Sequence, residues 1–302
     1  MHTFPDQTRL MTRLQFSIEL RYDIAPPGSD FIFNIHAAQT PQQTVIAESL
    51  QLSQPLPYTL YTDPMTRTRY LRLTAGPGPL SVQYQATVDL HHYQADPAQL
   101  AEVPIAALPG EVLPYLYPSR YCQSDRLMRF AMTEFGQLWQ GYSRVQAIRD
   151  WVAGHVTFRS NSSDGNTSAA DTLVEMVGVC RDFAHLMIAL CRALNIPARF
   201  ATGIDYGADP ALGPQDFHAY VEAYLGDRWY MFDASGVAIP MGFVRLATGR
   251  DAADSAFATM FGGVIGSAPI IHIQAIPDDN NVLVVPQHVP YALSTDGPSM
   301  RH

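Results

Sequence analysis

Cysteine is scarce in this sequence: three residues, Cys122, Cys180 and Cys191, in a chain of 302. A disulfide-stapled scaffold is excluded, and no cysteine spacing resembles a zinc site. Charge is also sparse, at 16% of residues, and the basic side is the weaker one, with 19 Lys and Arg against 28 Asp and Glu. A net charge of −9 argues against nucleic acid or an anionic membrane as a partner, because both need a basic face. No apolar run reaches the roughly 18 residues of a membrane helix. The opening Met1-His2-Thr3-Phe4-Pro5-Asp6 lacks a basic start followed by an apolar stretch, so no signal peptide is expected. Reduced thiols and no export signal point to the cytoplasm. Internal repeats and low-complexity segments are missing too.

Hydrophobic residues are plentiful, at 47%, enough for a substantial core. Over residues 1–95 they alternate with polar ones. Leu14, Phe16, Ile18, Leu20, Tyr22 and Ile24 form one such series, and Leu80, Val82, Tyr84, Ala86, Val88 and Leu90 another. A period of two is that of a half-buried strand. Shorter strands are expected at Asp30–Ala37, Val45–Leu52 and Arg69–Thr74. The set predicts an N-terminal antiparallel β-sandwich. Residues 96–120, with Pro97, Pro104, Pro109, Pro114 and Pro118, read as a proline-spaced linker.

The period then changes to that of helices. Ser124 is expected to cap a helix running to about Trp139, Ser143 with Gln146 to open another, and Ser168 to cap a short third. A fourth begins near Cys180, with Phe183, Met187, Leu190 and Leu194 as its buried stripe. Strands follow at Ala198–Tyr206, His218–Leu225 and Trp229–Ala234. The fold class is therefore α+β, with a core over 121–255 and a β-rich extension over 256–302 that includes strands at Ile270–Ile276 and Val282–Val285.

One constellation carries chemistry. A nucleophilic thiol needs a lowered pKa, a nearby base and a group that orients the base. Cys180 follows Gly178-Val179 at the start of the long helix, where the dipole favours an anion and free N–H groups can hold an oxyanion. A tight turn at Gly226-Asp227 would set Leu225 opposite Arg228, Tyr220 opposite Asp233 and His218 opposite Ser235. His218 and Asp233 then become diagonal neighbours on one face. The other face, Ala219, Val221, Ala223, Leu225, Tyr230, Phe232 and Ala234, is apolar and packs the core. The face with Tyr220, Glu222, Tyr224, Trp229 and Met231 is mixed and suits a cleft.

The blocks Gly178–His185, Asp216–Tyr220 and Arg228–Asp233 resemble the transglutaminase-like superfamily. Together with Tyr117–Cys122, they resemble its bacterial branch, in which a β-rich N-terminal region precedes a papain-like core. The resemblance implies that Cys180 is the nucleophile, His218 the general base and acid, and Asp233 the orienting carboxylate. It implies a cysteine-dependent acyltransferase or amide hydrolase that acts on a peptide or protein amide through a thioacyl-enzyme. No cofactor or metal is implied, since no acidic calcium loop is evident.

Other readings compete. Cys122 and Cys191 read as core residues. Asp182 suits a cap or salt bridge, and His185 a hydrogen-bonded core position. His91-His92 sit next to each other on a strand and so face opposite sides. A metal site built from Cys180, His185 and His218 matches no zinc spacing. A catalytically silent peptide-binding module on the same fold is the alternative function.

Overall fold

Alternation sets the first third of the chain, as the spacing predicts. A computed structural model describes residues 11–207 and 215–299; the opening hexapeptide read for an export signal lies outside them. Strands β1 (Thr12–Ile24), β2 (Ser29–Phe33), β3 (Gln43–Leu52), β4 (Tyr58–Thr62), β5 (Arg69–Ala75), β6 (Gly78–Leu90) and β7 (Tyr93–Ala95) follow one another. β1 and β6 pair antiparallel over their whole length, from Thr12↔Leu90 to Ile24↔Gly78. Both alternating series are buried and face Phe31, Phe33, Leu71 and Leu73 of the second sheet. The expected strand Asp30–Ala37 stops at Phe33, where Asn34 turns its amide to the Ala256 carbonyl at 2.8 Å. β4 is an addition: all five of its residues are exposed, so no alternation marks it in the sequence.

The proline-spaced segment forms three short 3₁₀ turns, Pro97–Gln99, Ile105–Ala107 and Gly110–Leu116. Helices α1 (Ser124–Phe135) and α2 (Tyr142–His155) then lead through β8 (Thr157–Phe158) to α3 (Ala169–Glu175). Ser168 caps α3 in a capping box with Asp171, as expected. The other two serine caps are corrected. Ser124 is already inside α1, whose N-cap is Gln123, and α1 stops at Phe135, short of Trp139. Gly141 is the N-cap of α2; its φ of 131° is one that only glycine adopts freely, and the Ser143 hydroxyl donates back to the Trp139 carbonyl at 3.3 Å.

After β9 (Val177–Gly178), the central helix α4 runs Cys180–Ala193. Its expected stripe is buried, but so is every other side from Asp182 onward. It packs against α1, α2 and α3 as well as the sheet, which leaves no solvent face. That sheet has the order β12–β11–β10–β13, built from β10 (Ala198–Asp205), β11 (His218–Leu225), β12 (Arg228–Phe232) and β13 (Phe243–Gly249). Gly203 on β10 pairs with His218. A Cβ there would lie 2.1 Å from the Val244 carbonyl oxygen and 2.6 Å from the Phe243 ring. Gly203→Ala should therefore cost about 1–3 kcal/mol, the usual price of overpacking. Urea unfolding of the variant measures it, and an unchanged midpoint would contradict the close approach.

Beyond α5 (Ala252–Ser255), the chain returns to the sandwich. β14 (Ala258–Phe261) pairs with β2, while β15 (Val264–Gly266) and β16 (Ile270–Ala275) pair with β1. β17 (Ala292–Ser294) pairs with β7. Val282–Val285 is not a strand: Val282 and Leu283 are each 53% exposed and pair with no strand among the described residues.

Candidate active site

The site grows from one helix end and one hairpin. Gly178 precedes the helix because a Cβ there would sit 2.7 Å from the Asp182 side chain. Asp182 is the N-terminal anchor: its carboxylate accepts from the Val179 N–H at 2.9 Å and from the Ser163 hydroxyl. Cys180 is the first helical residue, so its N–H and that of Arg181 lie where no earlier turn supplies a carbonyl. Its thiol is partly exposed and 3.9 Å from the Phe217 carbonyl oxygen.

The hairpin has the register that the Gly226-Asp227 turn implies. Leu225 pairs with Arg228, Tyr224 with Trp229 and Val221 with Phe232. Gly226 takes a φ of 61°, as a tight two-residue turn requires. His218 opens β11, and its Nε2 lies 3.2 Å from Asp233 Oδ1, just past β12. With Nε2 directed at Asp233, Nδ1 is left for the thiol.

Electrostatics agree with that geometry. Burial would lower the pKa of His218, but the Asp233 carboxylate outweighs it, helped by the hydrogen bond that His218 donates to Asp233 and another with Cys180. The net direction is well above the ordinary imidazole value. Burial pushes the other way on Asp233, yet His218 and the surrounding donors hold its pKa at about 2. Those donors are the Ser235 N–H at 3.0 Å and hydroxyl at 2.7 Å on Oδ1, and the Ala238 N–H at 2.9 Å on Oδ2. Arg149 Nε fixes the Asp233 backbone carbonyl at 2.8 Å. Ser235 and Ala238 follow Asp233 closely and were within reach of sequence reasoning. Arg149 is 84 residues away and carried no signal.

The three named residues thus come together, and the bystanders separate from them. Cys122 and Cys191 are fully buried, and burial raises both thiols, Cys122 to about 12. His185 is fully buried, accepts from the Ala252 N–H at 3.1 Å and stacks on Tyr121. His92 lies 3.1 Å from the Met241 carbonyl oxygen, and burial lowers its pKa to about 4. Among the described residues, no group of three or more His, Cys, Asp or Glu is arranged to hold a metal ion.

One expectation is corrected. The apolar hairpin face packs under α4 as foreseen, but the mixed face is no cleft. Val112 of the proline-spaced segment covers Tyr224 and Trp229. Leu293 and Met241 cover Tyr220 and Met231. Glu222, with no exposed surface, is neutralised by Arg199 and Arg245, which also bind Asp296. Solvent reaches the site at the rim, where Cys180 stands.

Comparisons with known proteins cover both the N-terminal β region and the core that carries the site. Residues 12–111 match the model of the bacterial transglutaminase N-terminal domain, and residues 132–234 that of the transglutaminase-like superfamily. The crystal structure of a candidate cysteine protease from Cytophaga hutchinsonii superposes with a TM-score of 0.86. It is 39% identical, and the match covers 94% of this chain and 98% of that one. An uncharacterized protein of Mycobacterium leprae is 28% identical over 116 residues, 37% of this chain and 42% of its own length. One of Mycobacterium tuberculosis is 28% identical over 125 residues, 36% of this chain and 40% of its own. The chain thus spans about two fifths of the length of these curated relatives.

Proposed function

The chain belongs to the transglutaminase-like superfamily, and from that premise we propose that it is a cysteine hydrolase or acyltransferase acting on a peptide or protein amide. The observation that supports this best is the chain of contacts from a partly exposed thiol at a helix N-terminus, through His218, to a buried and ionised Asp233.

In this reading His218 takes the thiol proton as Cys180 Sγ attacks the amide carbonyl. An S–C bond forms, and the carbonyl oxygen becomes an oxyanion at the end of α4, within reach of the free N–H groups there. His218 returns the proton to the nitrogen, the C–N bond breaks, and ammonia or an amine leaves. The thioacyl-enzyme is then opened by water, which gives an acid, or by an amine, which gives a new amide. Asp233 holds the imidazole in one orientation and supports its positive charge.

Incubation with a library of peptide amides followed by intact-mass spectrometry tests the proposal. The expected product is a single acyl adduct on Cys180. Turnover of an amide without any adduct or labelling at Cys180 would refute it. No step requires a metal, so exhaustive chelation should leave turnover unchanged. Loss on chelation with recovery on adding zinc or calcium would point to different chemistry.

A further inference from the structure

His218 has a second acidic neighbour. It stands on β11, an inner strand of the sheet, with β12 on one side and β10 on the other. Asp233 follows β12 on the first side. On the second, Gly203 pairs with His218, and Asp205 is two residues further along β10, on the same face. Diagonal neighbours of this kind lie about 7–8 Å apart at the backbone, closer at their side chains. Gly203, having no side chain, puts none of its own between them.

Asp205 is 5% exposed, and its Oδ2 has no hydrogen-bond partner among the described residues. A buried carboxylate oxygen without a donor is costly and calls for a reason. Burial raises its pKa, whereas the charge of His218 draws it back down. Tyr220 completes the enclosure. Its ring meets the imidazole edge-on with centroids 4.9 Å apart, and its buried hydroxyl also has no partner among the described residues.

We propose that Asp205 is a positioning residue, a second carboxylate that supports the protonated His218 from the strand opposite Asp233. This rests on the function proposed above. Asp233 fixes the ring by direct contact, and Asp205 acts through charge alone. The titratable groups facing the imidazole are then Cys180 from α4, Asp205 from β10, Tyr220 from β11 itself and Asp233 beyond β12. Asp216, two residues before His218, accepts instead from the Phe217 N–H at 2.7 Å.

The test is the rate of alkylation at Cys180 against pH with two reagents. Iodoacetate is an anion drawn in by the imidazolium, so its rate falls as His218 loses its proton. Iodoacetamide is neutral and reports the thiolate itself. In Asp205→Asn, the alkaline limb with iodoacetate should move down by about one pH unit, a tenfold change in the proton affinity of His218. Asp205→Glu, which restores the charge, should return the limb toward wild type. Thermal melting of each variant reports whether it is folded. A limb in Asp205→Asn that superimposes on wild type, while Asp233→Asn moves it, would overturn the role of Asp205 alone. A wild-type profile with no imidazolium-dependent limb would overturn the triad reading, and this inference with it.

Discussion

Replacing Cys180 by alanine should leave a folded protein that forms no thioacyl adduct and has lost at least about 10³-fold in turnover, as removal of a nucleophile does elsewhere. The fold should survive because the thiol stands partly exposed at the first position of α4. Its polar contacts are the Phe217 carbonyl oxygen and His218, neither of which belongs to the packed stripe of the helix. Stability should change by about 0.5 kcal/mol or less. Cys191→Ala gives the opposite pattern. Cys191 is fully buried in the α4 core, so its truncation should cost about 1 kcal/mol or somewhat more and leave turnover in place. Brief treatment of the native wild type with iodoacetamide should add one label per chain, on Cys180, since Cys122 and Cys191 are closed to reagent. Turnover surviving in Cys180→Ala would remove the basis of the mechanism.

Where the sequence announced structure, it did so through short-range periodicity. β1 and β6 could be read from alternation because each has one wet face and one dry face. The hairpin register followed from a single turn, since a two-residue loop at Gly226 fixes every pair behind it. That register places His218 near Asp233 without any knowledge of the rest of the fold. What stayed hidden depends on contacts between distant segments. Nothing local says that Val112 will lie on Tyr224 and Trp229 and turn an expected cleft into interior. The Arg199, Glu222, Arg245 and Asp296 cluster spans 97 residues, and each of its members alone looks like an ordinary surface charge. Asp205 is at the end of a strand whose eight residues are all buried, so no polar face marked it. Ser124 and Ser143 had the residue type for caps, but a serine near a helix start can equally be its first or second residue, and here both are.

Asp233→Asn should reduce turnover by about 10–10³-fold, less than the roughly 10⁴ seen for the equivalent change in a serine triad, because a thiol ionises more readily than a hydroxyl. The reason for a loss lies in what surrounds the carboxylate. Oδ1 faces His218 Nε2, the Ser235 N–H and the Ser235 hydroxyl, while Oδ2 faces the Ala238 N–H. All are donors in this arrangement, so either orientation of an asparagine amide sets an NH₂ group against another donor. The less costly choice points it at Ala238, strands one N–H and keeps an oxygen for His218. A stability loss of about 1–3 kcal/mol should therefore accompany the rate loss. The charge is removed in either orientation. His218, now held up only from the β10 side, should release its proton at lower pH, so the alkaline limb of activity moves down. On the acid side, the wild-type carboxylate has a depressed pKa of about 2. Its contribution to stability is present above the ordinary value near 4 and is lost as pH falls through about 2. Asparagine does not titrate, so the stability gap between the two proteins should narrow over that window. Thermal melts from pH 2 to neutrality, run beside the alkylation profiles, read both limbs. Profiles identical to wild type would mean that Tyr220 and Asp205 hold the imidazole without help from Asp233.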